Sequence, residues 1–167
     1  MLAFLCMCAF PGAMALAGSM DLITMTIPNR ISIFLVAAFA VLAPFAGLSP
    51  VQLAGHLASG GSMLALGIFM FARGWIGGGD AKIFAAAALW FGFDHLGDFT
   101  LMSAMAGGVL TLILLLFRTL PLPPIANSQD WLVRLHHPRT GVPYGIAMAA
   151  AALLVYPSTP WFLSVVG

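Results

Sequence analysis

Six apolar stretches make up most of the chain: Met1 to Met20, Ile31 to Gly47, Val51 to Ala72, Gly79 to Phe93, Phe99 to Phe117 and Tyr144 to Leu163. Each is bounded by charged residues or by clusters of Pro and Gly. About 20 mainly apolar residues suffice to cross the hydrocarbon core of a bilayer, so six spans use up most of the 167 residues. The expected fold is all-α: a polytopic integral membrane protein with six transmembrane helices, in a single domain covering residues 1–167. Six Lys or Arg and five Asp, against 62% apolar residues, exclude an ordinary soluble domain, in which roughly a quarter of residues are charged. A net charge of +1 without a polybasic run gives no support for nucleic-acid binding. The lipid bilayer is the first expected partner.

The few charges orient the bundle. With six helices, Arg30, Arg73, Lys82, Arg118, Arg134 and Arg139 fall on one side, while the connection between helices 4 and 5 carries only Asp94 and Asp98. Lys and Arg mark the cytoplasmic face, which places both termini outside, in the periplasm of a bacterial cell. Pro157 and Pro160 interrupt the last stretch, so its regular part is expected to end near Tyr156. In the longest connection, Leu120 to Val142, the segment Ser128 to Leu135 mixes Trp131, Leu132 and Leu135 with Asp130 and Arg134. That pattern suits a short interfacial helix, and an irregular loop accounts for it equally well. Ala15-Leu16-Ala17 has the small residues of a signal-peptide cleavage site, but the run before it lacks a basic n-region. A permanent first helix is the expectation.

Two acids sit where a membrane makes them costly. Asp21 closes an uncharged run, and Asp80 follows Gly77-Gly78-Gly79 at the start of helix 4. At the helical rise, Gly79 to Phe93 spans about 22 Å, short of the roughly 30 Å hydrocarbon core, so Asp80 is expected several ångströms inside the cytoplasmic interface. An ionised Asp at mid-membrane costs about 2.5 to 3.5 kcal/mol, and such residues face a wet cavity or a partner. Both acids fall at cytoplasmic helix ends of similar depth. Two carboxyl groups sharing a site cannot both ionise cheaply, so the pair is expected to hold one proton near neutral pH. That state suits peptide hydrolysis: the ionised acid takes a proton from water while the protonated one polarises the scissile carbonyl. Simpler roles also fit: a helix N-cap for Asp80, and an exposed helix-end residue for Asp21. The three glycines favour the site, because they allow close approach that a mere helix start does not need.

Here the sequence resembles a known family. Gly77-Gly78-Gly79-Asp80 fits the GxGD signature of membrane aspartic proteases, and Gly77 to Lys82 is similar to its type IV prepilin peptidase version. Asp21 followed by Ile27-Pro28-Asn29 resembles the other half of that pattern, and Pro143-Tyr144-Gly145-Ile146-Ala147 resembles the family's C-terminal segment. The resemblance runs from Asp21 to about Tyr156. It implies Asp21 and Asp80 as the catalytic pair, and cleavage of the short, basic, cytoplasmic leader of a prepilin ahead of its apolar helix. It implies no metal and no organic cofactor. Many members carry an N-terminal domain with paired Cys-x-x-Cys motifs and methylate the new N-terminus. Cys6 and Cys8, the chain's two cysteines, are spaced to point about 200° apart on a helix and make no zinc site. The expectation is a peptidase-only form, similar to those serving tight-adherence (Flp) pili, without methyl transfer.

The other polar residues have supporting roles. Lys82 lies on a different side of an ideal helix from Asp80, so a snorkelling, orienting lysine is expected before an ion pair. Asn29 is expected to cap or pin the turn after Pro28. His56 reads as a packed histidine away from the acids. His136 and His137 lack nearby metal ligands in sequence. Two other classes remain open. A small transporter or channel subunit would use the acids to carry protons or a cation, and a non-catalytic pilus or secretion assembly subunit would not need them.

Overall fold

The computed structural model describes residues 2–122 and 128–166, with side chains over 8–122 and 128–163. Among the described residues all regular structure is helical: α1 (Leu2–Thr24), α2 (Asn29–Leu42), α3 (Pro50–Ala72), α4 (Gly78–Thr119), α5 (Asp130–His136), α6 (Tyr144–Val155) and α7 (Pro160–Val166). Local chemistry sets several of the boundaries. Ser49 caps α3: its hydroxyl accepts from the Gln52 N–H at 3.3 Å, and the Gln52 side chain accepts from the Ser49 N–H at 2.9 Å. This reciprocal pair satisfies two orphan donors, and Pro50 begins the helix where no N–H is required. α6 gives way to a 3₁₀ turn at Tyr156–Ser158, where Pro157 removes a donor. The short helix α5 begins inside the Ser128 to Leu135 segment and ends one residue beyond it, so that segment is largely helical rather than an irregular loop.

α4 contains the expected pair of helices, but without an acidic loop between them. The two meet directly at Gly92, whose φ of 61° and ψ of −176° lie outside the helical region. The glycine reverses the chain by itself, and Asp94 and Asp98 are therefore helical residues rather than loop residues. Phe99 stacks on Phe84 at 5.1 Å and on Phe91 at 4.8 Å, so the two halves of α4 lie side by side as a helical hairpin.

A break of this kind deprives carbonyls of their regular i+4 partners. Those of Ala88, Leu89 and Trp90, whose partners would fall at or beyond Gly92, are met by side chains. Ser59 Oγ donates to Ala88 O at 3.1 Å, His56 Nδ1 to Leu89 O at 2.8 Å, and Trp161 Nε1 to Trp90 O at 2.8 Å. A carbonyl can only accept, so His56 carries its proton on Nδ1. His56 is thus a packed structural residue at the far end of the bundle from the acids.

The interior around the break is aromatic. Phe10 of α1 lies 5.3 Å from Trp90, 5.2 Å from Phe91 and 4.9 Å from Tyr156, and Trp161 of α7 closes on Trp90 at 4.8 Å. α1 buries Phe10, Met14 and Ala17, so it belongs to the core. Outside, the surface is apolar too: Val51, Leu57 and Ile68 on α3 and Leu112, Ile113 and Leu116 on α4 are exposed. α3 and α4 are each long and apolar enough to cross a membrane. A surface this apolar is fit for lipid rather than water.

Candidate active site

The acids come from two helix ends that meet. α1 continues past Met20 to Thr24 and is closed by Met25, whose N–H donates to Asp21 O at 2.8 Å. Met25 has φ 55°, a left-handed conformation that side chains rarely adopt outside such helix ends. The chain then runs extended through Ile27 and Pro28 into α2, with Pro28 at the N-cap position. α4 starts nearby, with Gly77 as N-cap in extended conformation. Between these segments lies a cavity of about 250 Å³ lined by Asp21, Met25, Thr26, Ile27, Gly77, Gly78, Gly79 and Asp80. A water occupies about 30 Å³ of liquid volume, so the cavity has room for several. The two acids, distant in sequence, face one space.

Each carboxylate is held by backbone. Asp21 is only 6% exposed, which removes the reading of an exposed helix-end residue. Its Oδ2 accepts from the Gly145 N–H at the start of α6 at 2.7 Å, a short hydrogen bond. Asp80 is half-buried and is the third residue of α4 rather than its N-cap. From there its carboxylate reaches back to the N–H of Gly77, the geometry of the returning half of a capping box. Local helix-end chemistry and a place in the cavity therefore coincide in Asp80.

The glycines act through close approach. Gly77 and the helical Gly78 and Gly79 need no left-handed conformation. A Cβ on Gly77 would stand 2.8 Å from Asp80 Oδ2, and one on Gly79 would stand 3.2 Å from Ile27 Cβ. Gly145 is hemmed in on more sides: a Cβ there would meet Asp21 Cβ and Oδ2 at 2.8 Å and Ile27 Cδ1 at 2.9 Å. Gly145 is the site residue that reading by charge and chemistry passes over. Its signal was positional, inside Pro143-Tyr144-Gly145-Ile146-Ala147, and what it contributes is an N–H and an absent side chain.

Of the supporting residues, Pro28 starts α2, and Lys82 Nζ donates to Asn29 Oδ1 at 3.0 Å. Asn29 is the first residue of α2, not its cap, and it pins the turn by holding α4. The cations gather at the end of the bundle that holds the acids. Arg118, at the return end of α4, donates to the carbonyls of Leu135, Thr140 and Gly141, and Arg134 donates to Ile23 O at the end of α1. His136 bonds Leu120 O, and His137 Nδ1 accepts from the Arg139 N–H. Cys8 is exposed, and the Cys6 side chain lies outside the described ones. No group of three or more His, Cys, Asp or Glu that would hold a metal occurs among the described residues.

The fold and site together define a helical membrane protein with two carboxyl groups over a common cavity. A family model for the type IV leader peptidase family matches residues 8–112, a stretch that includes both acids and the glycine triplet. The chain belongs to the type IV leader peptidase family. Neither the curated proteins nor the solved structures give a match.

Proposed function

We propose that this chain is an aspartic endopeptidase that cleaves the short basic leader from prepilins of the type IV or Flp-like kind. It works at the cytoplasmic face of a bacterial inner membrane, crosses that membrane six times with both termini in the periplasm, and does not methylate its product. The observation that carries the reading is that Asp21 and Asp80, on different helices, line one cavity at the end where the cations gather. Basic residues at that end support the orientation.

In the reaction, a water between the two carboxyl groups gives a proton to the ionised acid and attacks the scissile carbonyl, which is hydrogen-bonded by the protonated acid. The resulting tetrahedral intermediate collapses with breakage of the C–N bond. The leaving amine takes up a proton from the pair, which returns to its one-proton state. Gly145 and Gly77 orient the two carboxylates through their N–H groups, and Lys82, Pro28 and Asn29 hold the surrounding turn. The test is Asp21→Asn and Asp80→Asn in membranes with a prepilin substrate. Each variant should insert normally and leave the leader uncut, since an amide can neither take the proton from water nor give one to the leaving amine. Full cleavage by either one overturns the mechanism, and leader processing in cells by both would favour a non-catalytic assembly subunit.

A further inference from the structure

A second, larger depression lies beside the catalytic cavity. α2 and α3 both pack on the first half of α4, and between them opens a groove of about 740 Å³. Its walls are apolar, with Val36 and Ala40 on α2 and Leu57 and Leu64 on α3, and its floor is Ala86 and Leu89 of α4. Asn29, Ser32 and Lys82 make its one polar end. From Asn29 to Ala40 the groove runs about 16 Å at the helical rise, some three turns. Small residues at the walls and floor let another backbone come close, which is how helices associate within a bilayer.

The groove and the cavity are neighbours along two chain segments. Ile27 lines the cavity and Asn29 the groove, while Asp80 lines the cavity and Lys82 the groove. The Lys82 to Asn29 hydrogen bond lies at this seam. A peptide whose scissile bond lies over the acids and which crosses this seam has its next residues at the groove's polar end, with the apolar part leading away from the acids between α2 and α3. Gly61, on the α3 wall, has open space where a side chain would project, so the groove does not depend on that position for its own packing.

We propose that this groove is the docking site for the apolar helix of the substrate, the segment that follows the scissile bond. This rests on the peptidase reading above. The polar end stops the helix at a fixed depth and so sets which peptide bond is presented to Asp21 and Asp80.

The test uses the full chain in lipid nanodiscs with an intact precursor. Gly61→Trp fills the groove, and Gly108→Trp, at a position with equally open surroundings on the returning half of α4, is the control. Gly61→Trp should raise KM at least tenfold with kcat retained, and Gly108→Trp should leave both unchanged. In an Asp80→Asn background, a photo-reactive residue at position 40 should capture the precursor's apolar helix, and one at exposed position 112 should not. Equal kinetics for the two Trp variants, or capture of lipid alone at position 40 while the wild type cleaves, overturns the docking site. A precursor left uncut by the wild type as well as by Asp80→Asn overturns the peptidase reading, and the docking site with it.

Discussion

Gly145→Ala is a one-carbon change that tests whether Asp21 is held by the start of α6. The added Cβ would lie 2.8 Å from both Asp21 Cβ and Oδ2, where ordinary contact begins at 3.4 Å, so the carboxylate has to retreat by about 0.6 Å. Retreat lengthens the 2.7 Å bond from the Gly145 N–H. A hydrogen bond to a charged group is worth about 1.5 to 3 kcal/mol. At 1.36 kcal/mol per tenfold in rate, its loss from the reacting geometry corresponds to a fall of about 10- to 150-fold in kcat. Misplacement of a catalytic group by 1 Å costs about 100-fold, in the same range. The assay is steady-state leader cleavage in detergent, with thermal unfolding measured in parallel. We expect the fall in kcat, with KM altered by less than roughly threefold, because the change touches the reacting group and not the groove. Overpacking also costs stability, about 1 to 3 kcal/mol. A second variant separates the two effects: adding Ile27→Val removes the Cδ1 that the new Cβ approaches at 2.9 Å but leaves Asp21 displaced. It should recover stability without recovering kcat. A folded Gly145→Ala enzyme with kcat within about twofold of wild type would refute the claim that Gly145 positions Asp21.

Three further changes probe the scaffold. His56→Ala leaves Leu89 O bare in a buried setting and should cost about 1 to 3 kcal/mol for that carbonyl alone, read as a lower unfolding midpoint in mixed micelles. Gly92→Ala demands a left-handed conformation from a residue with a Cβ and sets that atom 3.0 Å from His56 Cε1, so it should destabilise the protein by more than about 1 kcal/mol in the same assay. Arg118→Ala frees the carbonyls of Leu135, Thr140 and Gly141, and hydrogen exchange should then rise over residues 130–141 while α3 is unaffected.

The helical class and the two acids were legible because both are consequences of charge. A chain this poor in charge leaves few places for an Asp, and the two that neither orientation nor solvation explained are the two that line the cavity. What could not be read was work done by backbone. The Gly145 N–H has no signature in side-chain chemistry. The reversal at Gly92 was hidden because one glycine replaces the whole loop that Asp94 and Asp98 seemed to mark. Its cap depends on Ser59, His56 and Trp161, which come from parts of the chain distant from it in sequence and are joined to it only by the fold.

The aromatic core also bears on what kind of site the acids can form. A proton or cation pathway would have to continue from Asp21 and Asp80 through the bundle. Eleven residues back along α1 and ten residues on along α4, about 15 Å from the acids at the helical rise, stand Phe10 and Trp90, packed together with Phe91, Tyr156 and Trp161. At that level His56, Ser59 and Trp161 already donate to the carbonyls at the break. Rerouting them to conduct an ion would strip the caps from a buried helix end, at the full cost of bare carbonyls in an apolar setting. The same hydrogen bonds that allow α4 to reverse therefore close the bundle beneath the acids. Among the described residues this aromatic packing lies between the cavity and the far end of the bundle, which favours the proposed hydrolysis over transport.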